Sequence, residues 1–267
     1  MFEAHTDTYV QLEFDEQGIA WLTMDRPEVH NAFDDVMIGQ LLTALRQVKE
    51  NPAARALVLQ SNGKHFSAGA DLNWMRSMAD KTYTQNLADS NELGALMWEL
   101  DQLPVPTLAL VNGAAFGGAV GLVACCDIAL ASERASFCLS EVKIGLIPAV
   151  ISPYVVRAMG ARQARRYMLT AERFRAPEAL QLGLVHDIPE QDLTTAAQAL
   201  LTALLGNGPA AMAAAKRLIR DVAEAPLAPD LVAETAQRIA EIRVSDEGQE
   251  GLSAFLDKRT PSWAQEG

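Results

Sequence analysis

Two glycine-bearing turns and one glutamate carry the chemistry this sequence offers. The first turn is His65-Phe66-Ser67-Ala68-Gly69-Ala70-Asp71, and the second runs from Asn112 through Gly113-Ala114-Ala115-Phe116-Gly117-Gly118-Ala119-Val120 to Gly121. Each follows an apolar, strand-like run (Ala56-Leu57-Val58-Leu59, then Thr107-Leu108-Ala109-Leu110-Val111) and precedes a segment that reads as helix. Backbone N–H groups are thereby presented at helix starts, and such a pair is what a carbonyl developing negative charge requires. Glu141 sits between Phe137-Cys138-Leu139 and Ile144-Gly145-Leu146-Ile147-Pro148. An apolar setting of that kind raises a carboxyl pKa and suits it to exchanging protons; the ordinary alternative for any Glu is a surface or salt-bridged carboxylate.

Spacing argues against nucleotide readings of the second turn. A dinucleotide fingerprint ending at Gly118 and Gly121 needs its first glycine at position 116, which is Phe116. Gly113-x-x-x-x-Gly118 has the outer glycines of a P-loop, but Ala119-Val120 replace the Lys and Ser/Thr that would hold phosphate and magnesium. A purely structural origin for the glycines, in positive φ or close backbone approach, stays open.

The elements that must position these groups are legible from periodicity. Val10–Phe14 alternates with period two and Ile19–Met24 follows a Gln17-Gly18 turn, so a hairpin opens the fold and Arg26-Pro27 ends it. Asp34 precedes a helix with Met37, Leu41, Leu45 and Val48 on one face, and a strand follows at 56–60. A helix around Leu93, Met97 and Leu100, the strand 107–111, a short helix from Gly118, and short strands at Asp127–Leu130 and Ser136–Cys138 continue the pattern. After roughly residue 190 the strands stop, and Leu193–Leu205, Pro209–Val222, Leu231–Ile242 and Glu247–Leu256 read as helices that should pack on the main body or on a second subunit. The expected organisation is an α/β core over residues 1–190 and a helical region over 191–267.

Composition sets the outer limits. The chain has 267 residues, 49% hydrophobic and 21% charged, enough for a large core. A net charge of −12 disfavours a duplex-binding surface, so no nucleic-acid partner is expected. Cys125, Cys126 and Cys138 lack metal-ligand spacing and read as buried apolar residues, and no metal site is expected. No leader pattern and no run of about 18 apolar residues occurs, which points to a cytoplasmic protein without a membrane partner.

With these residues in view, the chain resembles the enoyl-CoA hydratase/isomerase (crotonase) superfamily. The match runs from Asp25-Arg26-Pro27 and Asn31-Ala32 through both turns, Cys126-Asp127-Ile128-Ala129 and Ser140-Glu141-x-x-Ile144-Gly145-Leu146-x-Pro148 to Ala254-Phe255-Leu256-x-Lys258-Arg259. The resemblance implies a crotonase-like spiral of ββα units with a C-terminal all-helical trimerisation region, assembled as a homotrimer or a homohexamer made of two trimers. It implies an acyl-CoA thioester substrate and no separate cofactor, coenzyme A being part of the substrate. By resemblance the oxyanion donors are the N–H groups of Ala70 and Gly118, and Glu141 is the proton carrier. Ala68, Gly69, Asp71, Leu72 and Gly117 would line the substrate, with Phe255 and Lys258 from the C-terminal helix contacting coenzyme A. Asp71 has an equally simple reading as a helix cap.

The sequence departs from the family at one place. Family hydratases use a second glutamate at the start of the helix after the glycine turn; that position is Gly121 here. Glu141 would then orient and deprotonate water alone, giving an enoyl-CoA hydratase, or would move a proton between carbons in a Δ3,Δ2-enoyl-CoA isomerase. A non-catalytic acyl-CoA- or RNA-binding protein is the reading of another class. His65–Met75, Gly113–Ala119, Cys138–Val142 and Ile151–Val156 look like bacterial 3-methylglutaconyl-CoA hydratases of leucine breakdown and isohexenylglutaconyl-CoA hydratases of acyclic-terpene breakdown. Such substrates carry a remote carboxylate, for which Arg76, Lys143 and Arg157 are candidates by proximity, each with a plain reading as solvated surface charge. Trp74, Met75 and Met78 read either as acyl-pocket wall or as core. His30, His65 and His186 read as scattered, without partners.

Overall fold

The computed structural model describes residues 8–264. Strands β1 (Val10–Phe14) and β2 (Ile19–Met24) form the antiparallel hairpin, with Val10 opposite Met24. Gly18 takes φ +81° at the turn, a backbone conformation that glycine adopts without penalty. Helix α1 (Asp35–Glu50) begins where the Asp34 side chain accepts from Met37 N at 2.8 Å, and it buries Met37, Ile38, Leu41, Leu45 and Val48. It carries the chain back to β3 (Ala56–Ser61), which pairs parallel with β2. Helices α2 (Leu72–Ala79) and α3 (Tyr83–Asp101) make the next crossover to β4 (Thr107–Val111), parallel to β3.

The chain then leaves this sheet for β5 (Ala114–Phe116) and α4 (Gly118–Cys125), and returns with β6 (Ile128–Ala131) beside β4. The main sheet thus has the order β1-β2-β3-β4-β6. A smaller sheet joins β5 to β7 (Ser136–Cys138) in parallel. Sequence reading places Ala114–Phe116 inside a turn; three small or aromatic residues suffice for a strand here because β7 supplies its hydrogen bonds. Helices α5 (Ser152–Met159) and α6 (Ala161–Thr170) lead to β8 (Phe174–Arg175), antiparallel to β7, and to α7 (Ala176–Gln181). Four helices close the described chain: α8 (Leu193–Leu205), α9 (Pro209–Ala223), α10 (Pro229–Val244) and α11 (Asp246–Asp257).

Burial of β3 and β4 on both faces explains their continuous apolar sequences. Leu57 and Leu59 face the main core with α1 and α3, whereas Ala56 and Val58 face a second cluster completed by Ala197 and Leu201 of α8. The C-terminal helices are also tied to the body by polar contacts. Arg55 donates to Leu205 O, Asn207 O and Trp263 O, and Lys216 Nζ reaches Asp127 at 2.7 Å and Val105 O at 3.2 Å. All three cysteines are buried and free of disulfides, and burial pushes the Cys126 thiol up to about 12. No helix among the described residues is long and apolar enough to cross a membrane.

Candidate active site

Both glycine turns leave the C-terminal ends of β3 and β4, adjacent parallel strands, and so start side by side at one end of the sheet. Hydrogen bonds then stitch them together. Ser67 N donates to Ala114 O and Phe116 N donates to Ser67 O, both at 3.0 Å, a parallel bridge of Ser67 with Ala115. Asn112 Nδ2 donates to Gly63 O at 2.9 Å, and Ala114 N donates to His65 Nδ1 at 3.2 Å. The approach is so close at Gly113 that a Cβ there would stand 2.2 Å from Lys64 O. Asn31, wholly buried, braces the first turn by donating to Asn62 O and His65 O while accepting from Arg26 N.

Phe33 sets the two proposed donors. Its N donates to Gly69 O and its O accepts from Asp71 N, each at 2.7 Å. The peptides on either side of Ala70 are therefore held, and among the described residues the Ala70 N–H meets no protein acceptor. The Phe33 ring lies 3.6 Å from where a Cβ on Gly118 would sit. Gly117 takes φ +53° and donates its own N–H to Cys138 O at 2.9 Å, so the chain turns sharply before α4. Gly118, the first residue of that helix, likewise has an N–H without a protein acceptor among the described residues, as expected for a helix N-terminus.

Glu141 opens a short 3-10 helix after β7. One carboxylate oxygen, Oε1, lies 3.2 Å from the point where a Cβ on Gly117 would be, which places the group against the second turn. The other, Oε2, is buried with no hydrogen-bond partner. Burial raises the Glu141 pKa above the usual carboxylate range, so the acid holds a proton more readily than a solvated one.

Asp71 is buried and accepts from Asn73 N at 2.7 Å and Trp74 N at 3.2 Å, capping α2. Its other oxygen lies 3.3 Å from Arg26 Nη1, which also pairs with Asp34 at 2.8 Å under the Tyr9 ring. Ala68 is tied by its N to His30 O, and the Leu72 side chain is exposed. Phe255 is exposed on α11 and Lys258 ends that helix at φ +54°. Helix α11 packs on α9 and α10, and no hydrogen bond or ion pair among the described residues joins Phe255 or Lys258 to the two turns.

Position 121 is closed. A Cβ on Gly121 would meet Ile151 Cγ2 at 2.3 Å, Ile151 Cβ at 2.8 Å and Met97 Sδ at 3.1 Å. Of the cations considered for a remote carboxylate, Arg157 is paired with Asp101 and Arg76 with the Asn73 side chain at 2.9 Å, whereas Lys143 is exposed and makes no ion pair among the described residues. The histidines correct an expectation: His30 and His65 meet edge to face at 4.9 Å, and His186 Nδ1 accepts from Ala129 N at 3.1 Å. Backbone amides brought in by the crossovers supply the partners that linear spacing hides. Phe33, Ile151 and Met97 were not singled out for the site by sequence reading, because an apolar side chain that shapes a site has the same one-dimensional signature as one that fills a core.

Residues 15–266 match the family described as enoyl-CoA hydratase/isomerase. A crystal structure of an enoyl-CoA hydratase from Shewanella pealeana superposes with a TM-score of 0.94 at 56% identity, covering 96% of each chain. Pseudomonas aeruginosa AtuE superposes with a TM-score of 0.91 at 37% identity, covering 97% of this chain and all (100%) of that one. The 2,3-dehydroadipyl-CoA hydratase of Escherichia coli is 33% identical over 250 residues, spanning 93% of this chain and 96% of the relative.

Proposed function

The chain belongs to the enoyl-CoA hydratase/isomerase family, and from that premise we propose that it adds water reversibly to an α,β-unsaturated acyl-CoA whose acyl group ends in a carboxylate, as in a branched glutaconyl-CoA. The observation that carries the reading is the pairing of two N–H groups without a protein acceptor among the described residues, those of Ala70 and Gly118, with the half-buried Glu141 carboxylate that lies against the second of their turns. The thioester oxygen would accept from both N–H groups. As a water oxygen bonds to Cβ, Glu141 takes a proton from that water and delivers a proton to Cα, while the electrons of the double bond pass through the enolate held by the two donors. Each such donor contributes about 3–4 kcal/mol to barrier lowering in comparable sites. The name of the dehydroadipyl-CoA relative describes an enoyl-CoA with a distal carboxylate, which supports that substrate class.

A second reading has its own observation. Gly121 is walled by Ile151 and Met97, so Glu141 faces the substrate without a second carboxylate at that point. One carboxylate suffices to take a proton from Cα of a 3-enoyl-CoA and return one to Cγ. Turnover of crotonyl-, 3-methylcrotonyl-, 3-methylglutaconyl- and isohexenylglutaconyl-CoA, alongside a 3-enoyl-CoA, separates the readings. Fast hydration of a glutaconyl-CoA is expected; hydration seen only as slow leakage beside fast double-bond migration overturns the hydratase proposal, and preference for crotonyl-CoA overturns the carboxylate-bearing substrate.

A further inference from the structure

The ladder that joins the two glycine turns contains one rung made by a side chain. Ser67 N donates to Ala114 O and Phe116 N donates to Ser67 O, the alternation of a parallel pair. One step nearer the start of β5, the same alternation would bring Ala114 N to the carbonyl oxygen of His65. Both lone pairs of that oxygen are already engaged, by Asn31 Nδ2 at 3.0 Å and Ser61 Oγ at 3.1 Å. Ala114 N donates instead to the His65 imidazole, at Nδ1, across 3.2 Å. The rung sits where the two backbones are pressed together, since a Cβ on Gly113 would stand 2.2 Å from Lys64 O and 3.0 Å from His65 Cα.

An imidazole nitrogen accepts only when it carries no proton, so this bond requires neutral His65 with its hydrogen on Nε2. The titratable and charged groups that bear on His65 are His30, whose ring meets it edge to face at 4.9 Å, the adjacent Lys64, and Arg134 from the connection between β6 and β7. Burial first, and then these three groups, hold the His65 pKa below the usual imidazole value. Strand β5 runs directly into Gly117 and Gly118, and the first turn runs from His65 to Ala70, so the rung joins the roots of the two donor-bearing turns. We propose that His65 is a positioning residue: its unprotonated Nδ1 holds β5 in register on the first turn and thereby sets the spacing of the Ala70 and Gly118 N–H groups, and protonation releases that rung. The kinetic consequence rests on the functional reading above, whereas the release of Ala114 N–H does not.

Two variants separate the acceptor from the bulk of the ring. His65→Leu removes the acceptor, and His65→Asn puts a non-titrating oxygen in the place of Nδ1. At mildly alkaline pH His65→Leu should lower kcat about tenfold to a hundredfold with KM little changed, the scale of a displaced reacting group, and His65→Asn should restore most of the loss. On acidification kcat should fall through two ionisations in the wild type, those of Glu141 and His65, and through one in His65→Asn. Equal losses in the two variants, or an acid limb that His65→Asn leaves unchanged, overturn the proposal. Hydrogen exchange of Ala114 N–H, referenced to the amides of β3, reads the rung without turnover. Its protection should be similar in the wild type and His65→Asn at neutral pH and at least tenfold lower in His65→Leu; equal protection in all three overturns the proposal. If the wild-type protein turns over no enoyl-CoA, the functional reading fails, while Ala114 protection still decides the role of His65.

Discussion

Ile151, at the start of α5, presses its branched side chain onto Gly121 in α4, with Cγ2 only 2.3 Å from where a Cβ on that glycine would lie. A β-branched side chain is stiff at χ1 and does not swing aside. Gly121→Ala gains helix propensity of about 1 kcal/mol but overpacks the contact at about 1–3 kcal/mol, so a net loss of stability is expected in chemical denaturation. An Ile151→Ala background removes the Cγ2 contact and leaves the Cβ, 2.8 Å away, as the remaining close neighbour, so the double variant should lose less than the sum of the single ones. Strict additivity would show that the contact relaxes at no cost.

Gly118 offers a way to remove a donor while sparing the fold. It is the first residue of α4, where proline is tolerated, and a Cβ there would be in ordinary contact with Phe33 at 3.6 Å. Gly118→Pro is expected to reduce kcat by about 10²–10³, the range for losing one oxyanion donor, while Gly118→Ala, which keeps the N–H, retains most activity. Equal losses in the two variants would trace the effect to packing.

Glu141 links activity to pH. Burial raises its folded-state pKa, so the acid limb of kcat/KM should lie above the pH at which a solvated glutamate titrates. The native state then binds a proton that the unfolded chain has released, and stability falls as pH rises through the raised value. Glu141→Gln should lower turnover by about 10²–10⁴ and, measured by thermal unfolding, should gain stability relative to wild type at neutral pH with the gain vanishing in acid. Unchanged turnover would remove Glu141 from the chemistry.

Arg26 holds the first turn through Asp71 and the start of α1 through Asp34, with 14% of its side chain exposed. Arg26→Met strands two nearly buried carboxylates, at a cost of about 3 kcal/mol. Asp71→Asn keeps the oxygen that caps α2 and should cost less than Asp71→Ala, which also forfeits about 1 kcal/mol of capping. Denaturation midpoints check the order; an Asp71→Ala variant as stable as Asp71→Asn would contradict the capping role.

Much of this was legible in the chain itself. Period-two and helical patterns located β1 to β4, α1 and the closing helices, because each element must turn one apolar face inward. Gly117 and Gly69 signalled sharp turns because their positive φ, +53° and +91°, is open to glycine without penalty. The apolar flanks of Glu141 foretold its raised pKa, since local sequence supplies part of the desolvating shell. Residue type alone also showed that position 121 carries no carboxylate.

Only the tertiary structure decided what those groups face. Phe33 clamps the peptides around Ala70 from a segment more than thirty residues away in sequence, and its ring meets Gly118 from the other side. Ile151 and Met97 converge on Gly121 from two different helical segments, and the unpaired state of Trp74 Nε1 depends on every group that failed to reach it. Periodicity records which face of an element is apolar, because burial acts on each element separately. Hydrogen-bond satisfaction and close contact are properties of atoms from several elements at once, and they exist only after the parallel strands have brought the two turns together.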